Sequence, residues 1–412
     1  MHKARKDDKG RALHKGESQR KDKRYCYSYT DMFGKRKYIY ANDIVELRNK
    51  EKMLVRDQMD GLDTYAAGNA TLNFLFDRYI KTKTNIRPTT MANYKYMYNH
   101  FVRDTLGKVK LKDIRYSDMV YFYNSLIDDK GLNVRTLDSI HSTLHPAFTM
   151  AVRDNLIRNN PSDGALTTVK KRTDVKKNIR HALTLEQQRH FINYVKECPL
   201  LEGWETIFTV LLGTGLRVGE FIGLRWEDID FKNRMISINH SLIYYTTERG
   251  VGRKSELHAS LPKTEAGIRN VPMMPQVYEA LRQEYLKQKK CKRKTEVVDG
   301  LTNFVFVDDN GLVILPSRIN DAIKKAIRYH NMEETEKAKE EKREPVLIPD
   351  FSCHHLRHTF CTRFCENETN VKVIQAVMGH ADIETTMNIY AEATDSKKAE
   401  AMSKLAESID VF

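Results

Sequence analysis

The feature that most limits how this chain can fold is a short basic segment near its middle. Residues 167–180 read TTVKKRTDVKKNIR and contain no apolar period that could bury one face. Such a segment is typical of an interdomain linker rather than a packed core, so we predict separate domains on its two sides. The 412 residues are enough for two or three domains. We expect the linker to follow a phosphate backbone through Lys170, Lys171, Arg172, Lys176 and Lys177.

The region before the linker has the spacing of an all-α domain over residues 70–166. Thr89 or Thr90 can cap a helix that reaches residue 102, and Ser117 can cap the next one. The outer faces of these helices are polar and basic. Three or four such helices make a plausible small α-helical domain.

A third helical pattern in this region covers residues 134–154. Pro146 falls inside it, and a proline removes one helical hydrogen bond and clashes with the preceding turn. We therefore expect this helix to be kinked or split in two at Pro146.

A basic, tyrosine-rich module is predicted over residues 1–65. Residues 1–40 carry thirteen Lys or Arg against five Asp or Glu, and in RYCYSYTDMFGKRKYIYAND the tyrosines alternate on both sides of a turn at 31–34. The alternation predicts a β-hairpin with an aromatic face, followed by a charged helix over 42–60. Basic residues beside an aromatic strand suit contact with a DNA backbone and insertion into a groove, whereas the alternative is a solvated basic tail. The predicted DNA-binding residues are Arg20, Lys21, Lys23, Arg24, Lys35, Arg36 and Lys37.

After the linker, helix-like and strand-like patterns alternate over residues 181–395, which predicts a mixed α+β domain. Residues 234–243 and 267–273 are typical of strands or hairpin arms. The charged stretch 331–344 indicates an exposed helix or an insert, and we assign no chemistry to it. The tail, residues 396–412, has apolar residues near helical spacing, so it either docks on a neighbouring protomer or folds back on its own domain.

Charge and composition narrow the partner and the compartment. The formal net charge of +14 and a pI near 9.3 favour a polyanion over a neutral small molecule. No apolar run is long enough to span a membrane and no signal peptide is evident, so we expect a cytoplasmic protein. The six cysteines follow no disulfide framework. A zinc site in the Cys and His cluster at 353–365 is disfavoured by its spacing, which fits better the buried stripe of a helix through Cys361 and Cys365.

Two segments place an arginine three residues from a possible partner. In LLGTGLRVGEFIGLRWEDI, residues 211–229, Gly213 and Gly215 indicate a tight turn before Arg217 and Glu220. The carboxylate can orient its neighbour, although an ordinary surface ion pair has the same spacing. In SCHHLRHTFCTRFC, residues 352–365, His354 and Arg357 would suit a phosphate oxygen if they share a helical turn. Exposed polar residues at a helix start are the alternative.

Two further segments supply a lysine, a histidine and a tyrosine. Lys263 in LPKTEAGIRNVPM can reach a leaving oxygen and donate a proton, although a lysine at a hairpin tip is usually solvated. In VIQAVMGHADIETTMNIYAEA, residues 373–393, Gly379 is suited to end one helix and His380 follows it. Asp382 can cap a second helix that carries the stripe Ile383, Met387 and Tyr390. Taken alone, that stripe favours a packed structural tyrosine.

In chain order these segments supply Arg217, Lys263, His354, Arg357, His380 and Tyr390. With that order the chain resembles the tyrosine recombinases, or phage-integrase family, whose signature is matched by TGLRxxE, HxLRHTF, MGH and a tyrosine ten residues after that histidine. The layout is most similar to integrases of conjugative transposons. The resemblance implies a multidomain, mainly α fold with small β elements: a small N-terminal β-hairpin or sheet module, an all-α core-binding domain and a mixed α+β catalytic domain.

The resemblance also implies a role for each matching residue. Tyr390 would attack a scissile phosphodiester, leaving a 3′-phosphotyrosyl link and a free 5′-hydroxyl. Arg217 and Arg357 would clamp the non-bridging oxygens, and Lys263 would protonate the leaving 5′ oxygen. Arg225 lies close by in GLRW, but Arg217 follows Thr-Gly-Leu as the family's catalytic arginine does.

The remaining implied roles are supporting ones. His354 would move the tyrosine proton, His380 would hydrogen-bond the phosphate, and Glu220 would support the site. Cys353 stands where the family commonly has proline, which alters local geometry without deleting a reactive group. No metal and no cofactor are implied, because the cations take the role that Mg²⁺ has in other phosphoryl transfers.

The implied partner is double-stranded DNA at the ends of a mobile element in a bacterial host. Four protomers would exchange strands through a Holliday junction, with accessory directionality and DNA-bending proteins, and the enzyme would be nucleoid-associated when bound. Two alternatives are a type IB topoisomerase, which uses similar residues without strand exchange, and a catalytically silent DNA-binding regulator. The basic N-terminal module argues against the first, and the complete set of reactive residues argues against the second.

Overall fold

The computed structural model describes residues 5–30, 36–59, 70–172, 182–248, 253–262, 264–291 and 293–395. The chain packs as two units, residues 1–177 and 178–412. None of the described helices has the length and apolar character needed to cross a membrane.

The N-terminal unit begins with a small antiparallel sheet of three strands in the order β1-β2-β3. The strands are β1 (Glu17–Gln19), β2 (Tyr25–Thr30) and β3 (Arg36–Ala41). Helix α1 (Ile44–Met59) follows and packs Ile44 and Leu47 against the sheet. The predicted hairpin is β2 with β3, and β1 is an additional strand; the predicted turn lies outside the described residues.

The register of β2 and β3 corrects the prediction of a single aromatic face. Tyr38 lies opposite Ser28, and Tyr40 lies opposite Cys26. Because directly opposed residues share a face, these two tyrosines lie on the other side of the sheet from Tyr25 and the other odd-numbered tyrosines of β2. Tyr25 is buried against α1, whereas Tyr38 is 53% exposed. Tyr38 and Tyr40 therefore form the more exposed aromatic face, and Tyr25 lies on the face that packs against α1.

Five helices follow and enclose a separate apolar core. They are α2 (Leu72–Thr82), α3 (Pro88–Phe101), α4 (Tyr116–Asp128), α5 (Val134–Arg153) and α6 (Ala165–Lys170). The predicted all-α character of this region is confirmed.

Both predicted helix caps in this region are wrong. Helix α3 starts at Pro88, whose fixed φ and missing N–H suit a first helical position, so Thr89 and Thr90 lie inside the helix. Helix α4 starts one residue before Ser117. There the side chain of Asp118 accepts the backbone N–H of the preceding cap residue at 2.8 Å, which fixes the start one residue earlier.

Pro146 does not split its helix, since α5 runs unbroken from residue 134 to 153. Residues on both sides of the proline, including Leu144 and Phe148, are fully buried. Burying each such side chain contributes about 1.5–3 kcal/mol, which together exceeds the cost of about 3 kcal/mol for an interior proline. Core packing therefore overrides the local preference.

The predicted linker starts too early at residue 167. Helix α6 continues to Lys170 and buries Leu166 and Val169 in the core of the helical region. Two apolar residues three apart are enough to fix one helical turn, although the flanking charges hide them in the sequence. Residues 173–180 lie outside the described residues.

The second unit contains the remaining helices and strands around one large apolar core and a smaller cluster formed by Cys361, Cys365, Ile374 and Met378. The helices are α7 (Leu185–Glu197), α8 (Trp204–Thr214), α9 (Val218–Ile222), α10 (Pro275–Cys291), α11 (Pro316–Glu341), α12 (Cys353–Asn367), α13 (Val371–Met378) and α14 (Ile383–Asp395). The strands are β4 (Ile229–Asp230), β5 (Met235–Ile238), β6 (Ser241–Glu248), β7 (Arg253–Ser260) and β8 (Arg269–Pro272).

Two small antiparallel sheets complete this unit, β4-β5-β8 and the hairpin β6-β7. Strands lie in both predicted stretches: 234–243 holds β5 and the start of β6, which belong to different sheets, and 267–273 holds β8. The charged stretch 331–344 is mostly the end of α11, but it is not wholly exposed, because Glu334 and Ala338 are buried. The predicted fold class, mainly α with small β elements, is confirmed.

Candidate active site

A glycine in the left-handed region ends α8 and places Arg217 at the start of α9. Gly215 has φ +61° and is the C-cap of α8, while Arg217 is the N-cap of α9. Gly213, predicted to share the turn, lies inside α8, where an added Cβ would collide with Val277 of α10. The turn therefore depends on Gly215, and Gly213 allows close helix packing.

The buried Glu220 joins two arginines in one hydrogen-bond network. Its Oε1 accepts from Arg217 Nη1 at 2.7 Å and from Arg269 Nη1 at 3.2 Å; its Oε2 accepts from the Arg217 backbone N–H and from Arg269 Nη2, both at 2.9 Å. Burial alone raises the pKa of Glu220, but hydrogen bonding to Arg269 and the charges of both arginines outweigh it and lower that pKa to about 2. The predicted orienting contact of Glu220 with Arg217 is present, while the Arg217 side chain stays 42% exposed.

Arg357 lies behind this network on α12 and is 5% exposed. Its Nη1 donates to Gly215 O and its Nη2 to Met378 O, both at 2.6 Å. Within the described part of the chain its hydrogen-bond partners are these two carbonyls, and no carboxylate forms an ion pair with it. Burial, and next the positive charge of Arg217, lower the pKa of Arg357 to about 9. The site thus holds a buried cation whose charge the described carboxylates do not neutralise.

His354 lies one helical turn before Arg357 on α12, as predicted from their spacing. The two differ in environment, because His354 is solvent-exposed and Arg357 is buried. Further along the same helix, Cys361 and Cys365 are buried in an apolar cluster, which confirms the predicted stripe.

His380 follows the left-handed C-cap of α13, Gly379, and is buried. Its Nδ1 lies 2.9 Å from Thr386 Oγ1 of α14. Burial, and next the charges of Arg357 and Arg217, lower the pKa of His380 to about 4, so the ring is neutral at pH 7. Arg217 Nη2 donates to Gly379 O at 2.7 Å, so this turn and Arg217 are in direct contact.

Tyr390 lies on α14, half-buried against the cluster formed by Cys361, Cys365, Ile374 and Met378. The predicted stripe of this helix is wrong in its other members. Ile383 is 37% exposed and Met387 is 45% exposed, whereas Thr386 is fully buried and Ile389 packs on the cluster. The polar Thr386 is drawn inward because it hydrogen-bonds the buried His380. The predicted cap is confirmed, since Asp382 accepts the Glu384 N–H at 3.0 Å.

Comparison with known proteins identifies this arrangement. The model of the phage integrase family matches residues 181–397, more than half of the chain. The chain belongs to the phage integrase family. In this phage integrase, two further models match elsewhere: the DNA binding domain of Tn916 integrase at residues 1–58 and the N-terminal SAM-like domain of phage integrases at 71–127.

Relatives of this phage integrase match it over nearly its whole length. The transposase from transposon Tn1545 of Streptococcus agalactiae is 33% identical and covers 97% of this chain and 96% of its own. The transposase from Tn916 of Enterococcus faecalis is 32% identical over the same shares. The solved structure of the Tn1549 transposon integrase in complex with transposon right end DNA has a TM-score of 0.68 and 29% identity, covering 82% of this chain and 100% of that one. The predicted class, a tyrosine-type site-specific recombinase most like conjugative-transposon integrases, is confirmed.

Of the six predicted catalytic residues in this integrase, the structure describes five. Arg217, Arg357 and His380 meet around the Gly215 and Gly379 turns, and Tyr390 packs on the same domain through α14. Lys263 lies outside the described residues, between Leu261–Pro262 and the turn at 265–267. Arg225, the rejected alternative to Arg217, pairs with Asp228 at its own short helical turn.

The predicted DNA-binding residues differ in what they contact. Lys21, Lys23 and Arg36 are exposed, as is Arg20, which stacks over the Tyr40 ring at 5.3 Å. Several already form ion pairs: Arg20 and Arg24 with Asp22, Lys170 with Asp138 and Arg172 with Asp128. Lys37 is half-exposed and Lys171 exposed. Lys35, Lys176, Lys177 and the tail 396–412 lie outside the described residues.

Sequence reasoning missed Arg269, the second partner of Glu220. A signal existed, because β8 alternates and places Arg269 on the same inward face as Val271. A charged residue at an inward strand position indicates a buried partner. For metals, the described residues bring together one group of three suitable side chains, His14, Glu17 and Glu51 in the N-terminal unit, where Glu17 is already bound by Arg48 at 3.0 Å.

Proposed function

We propose that this recombinase integrates and excises a mobile DNA element by cleaving and rejoining DNA through a 3′-phosphotyrosyl intermediate. The observation that carries the proposal is the buried Arg357 guanidinium, which two carbonyl oxygens hold in place and which the described carboxylates leave unneutralised. A buried cation without a counterion is costly, and a phosphodiester in the adjoining site would supply the missing negative charge. The partially exposed Arg217 beside it would bind the second non-bridging oxygen.

The charges of the site suit a pentacoordinate transition state. Three guanidinium groups, Arg217, Arg269 and Arg357, face one carboxylate, Glu220, and a neutral His380. Their sum is about two positive charges. A phosphodiester gains negative charge on its equatorial oxygens as the tyrosine oxygen adds, so this excess stabilises the transition state more than the ground state.

Two different residues would carry out the two proton transfers of the reaction. Tyr390 Oη would attack the phosphorus, His354 on the exposed side of α12 would accept the tyrosine proton, and Lys263 would protonate the leaving 5′ oxygen. His380, neutral because of its low pKa, would donate a hydrogen bond to a phosphate oxygen rather than a second charge. The covalent link conserves the phosphodiester energy, so rejoining would need neither a metal nor ATP.

The rest of the chain would hold DNA around this site. The solved structures of the Tn1549 transposon integrase are complexes with DNA, which supports DNA as the partner. We assign residues 1–65 to an arm-type DNA-binding module, 70–170 to core binding, 171–180 to the linker, 181–395 to catalysis and 396–412 to an inter-protomer contact. A homotetramer would exchange DNA strands through a Holliday junction, together with accessory directionality and DNA-bending proteins. The enzyme would be cytoplasmic and associated with the nucleoid when it is bound to DNA.

The test is covalent trapping on a suicide duplex that carries the element end and is nicked near the cleavage position. The parent protein should form a denaturation-resistant adduct, and Tyr390→Phe should form none. The matched control is Tyr285→Phe, which removes the hydroxyl of an exposed tyrosine in the same unit. An adduct with Tyr390→Phe would disprove the nucleophile. Relaxation of supercoiled DNA without recombinant products would favour the topoisomerase alternative.

A further inference from the structure

Arg269 is almost fully buried, with a side chain 6% exposed, and every nitrogen of its guanidinium group donates a hydrogen bond. Two of these bonds go to the two oxygens of Glu220. Nε donates to Val377 O at 2.7 Å, and Nη1 also donates to Gly267 O at 3.3 Å. A planar guanidinium can serve acceptors in several fixed directions at once, which a lysine cannot do.

The acceptors of Arg269 lie on three segments that each carry a proposed reactive residue. Glu220 holds Arg217. Val377 immediately precedes Met378, whose carbonyl holds Arg357, and lies three residues before His380. Gly267 ends the turn that follows Lys263. One side chain therefore connects the segment of Arg217, the segment that carries His380 and holds Arg357 through Met378 O, and the turn that follows Lys263.

We infer that Arg269 is a positioning residue for strand cleavage: it fixes Glu220, and through Glu220 the Arg217 guanidinium, against the turn at Gly379. This inference rests on the proposed function. In the proposed reaction, Arg269 does not touch the reacting atoms. Its effect is to hold the clamp in the geometry that the transition state requires.

Charge gives a second part to this role. Without Arg269, Glu220 would pair with Arg217 alone. The buried carboxylate would then neutralise most of the attraction of the Arg217 guanidinium for a phosphate. With Arg269 present, the carboxylate is shared between two guanidinium groups. Arg217 then keeps a net positive field toward the open side of the site.

The test compares Arg269→Met, Glu220→Gln and the double variant in the full-length protein. Single-turnover adduct formation on the nicked duplex is measured at saturating DNA, and affinity is measured separately on an intact duplex. Arg269→Met should lower the cleavage rate constant about 10- to 100-fold, as expected for a misplaced clamp. The dissociation constant should change by less than about threefold, because few ground-state contacts are lost. Arg269→Lys should give an intermediate rate.

The matched control is another bidentate arginine–glutamate pair in the same unit. Arg343 donates to both oxygens of the buried Glu334, at 2.5 and 3.0 Å. Arg343→Met removes a similar ion pair from the end of α11 and should leave the cleavage rate of folded protein unchanged. If Arg269→Met fails to fold, as judged by tryptophan fluorescence, Arg269→Lys decides the question.

A pH profile separates positioning from a general loss of structure. In the parent, Glu220 stays ionised because Arg269 and Arg217 face it, with Arg357 and His380 next to them. Arg269→Met should introduce a fall in cleavage rate at mildly acid pH, because a Glu220 that takes up a proton no longer fixes the Arg217 guanidinium, and this loss of geometry outweighs the charge that Arg217 regains. Adding Glu220→Gln should abolish this acid-dependent fall, and the two substitutions should not multiply in their effect on rate.

The outcomes are distinct. Parental cleavage by Arg269→Met, a loss found only in DNA affinity, an equal loss in Arg343→Met, or fully multiplicative effects of Arg269→Met and Glu220→Gln would each overturn the role of Arg269. A parent protein that forms no adduct would instead refute the proposed reaction itself, and the positioning role with it.

Discussion

Replacing His380 with glutamine should reduce the loss of folding stability that the second unit shows as the pH is lowered. The His380 ring is buried near Arg217, Arg357 and Arg269, and its pKa falls from the ordinary 6.5 to about 4. In the unfolded chain the same ring takes up a proton near pH 6.5. Between these two values the unfolded state binds more protons than the folded state, so stability falls as the pH falls.

The size of the effect follows from the two pKa values. At about 1.4 kcal/mol for each pH unit between them, His380 accounts for about 3 kcal/mol in total. About 2 kcal/mol of this is lost between pH 7 and pH 5. Protonation of Glu220 also lowers the stability of the unit in acid. This loss begins only below the unfolded pKa of Glu220 near 4.5, because its folded pKa is about 2. The two contributions therefore lie in different pH windows.

The chain offers a convenient probe for this measurement. Its two tryptophans, Trp204 and Trp226, both lie in the second unit, so their fluorescence reports the unfolding of that unit. Denaturant unfolding of the parent and of His380→Gln should be compared at pH 7, 6 and 5. The control is His190→Gln, which replaces a half-buried histidine of α7. This variant should keep the loss of stability that His380 causes between pH 7 and pH 5. An identical pH dependence in the parent and in His380→Gln would refute the reasoning.

Three further predictions concern a helix end, a clamp and the N-terminal sheet. Gly379→Ala should lower the free energy of unfolding by about 1–3 kcal/mol, because φ is +63° and a Cβ would lie 2.8 Å from a packed guanidinium; Gly300→Ala, with φ +84° and open space, measures the backbone part alone. Arg357→Lys should slow adduct formation about 10²-fold, since one ammonium cannot reach two carbonyls and a phosphate; a parental rate would contradict the clamp. Tyr38→Ser should weaken binding of an arm-type duplex in an anisotropy titration without changing stability, whereas the buried Tyr25→Ser should destabilise the module by about 3 kcal/mol.

The sequence alone predicted which side chains would carry the chemistry. Arg217, Arg357, His380 and Tyr390 were predicted from their order in the chain and from its resemblance to the tyrosine recombinases, and their types suit phosphoryl transfer, which needs permanent cations, a hydrogen-bond donor and a nucleophile. The hairpin, the helical region and the strands near residues 235 and 270 were also predicted, because hydrophobic period and turn residues are local signals.

The tertiary structure alone decided which face of each element is used and which distant residues meet there. The period of α14 showed an apolar stripe, but Thr386, not Met387, turned inward because His380 was there to hydrogen-bond it. Tyr38 faced away from α1 because strand pairing set its register. Arg269 gave only a weak local sign, since its partner Glu220 is 49 residues away in sequence. A local sequence pattern predicts that a helix or strand has a buried face. The residues that contact this face come from distant segments, which only folding brings together.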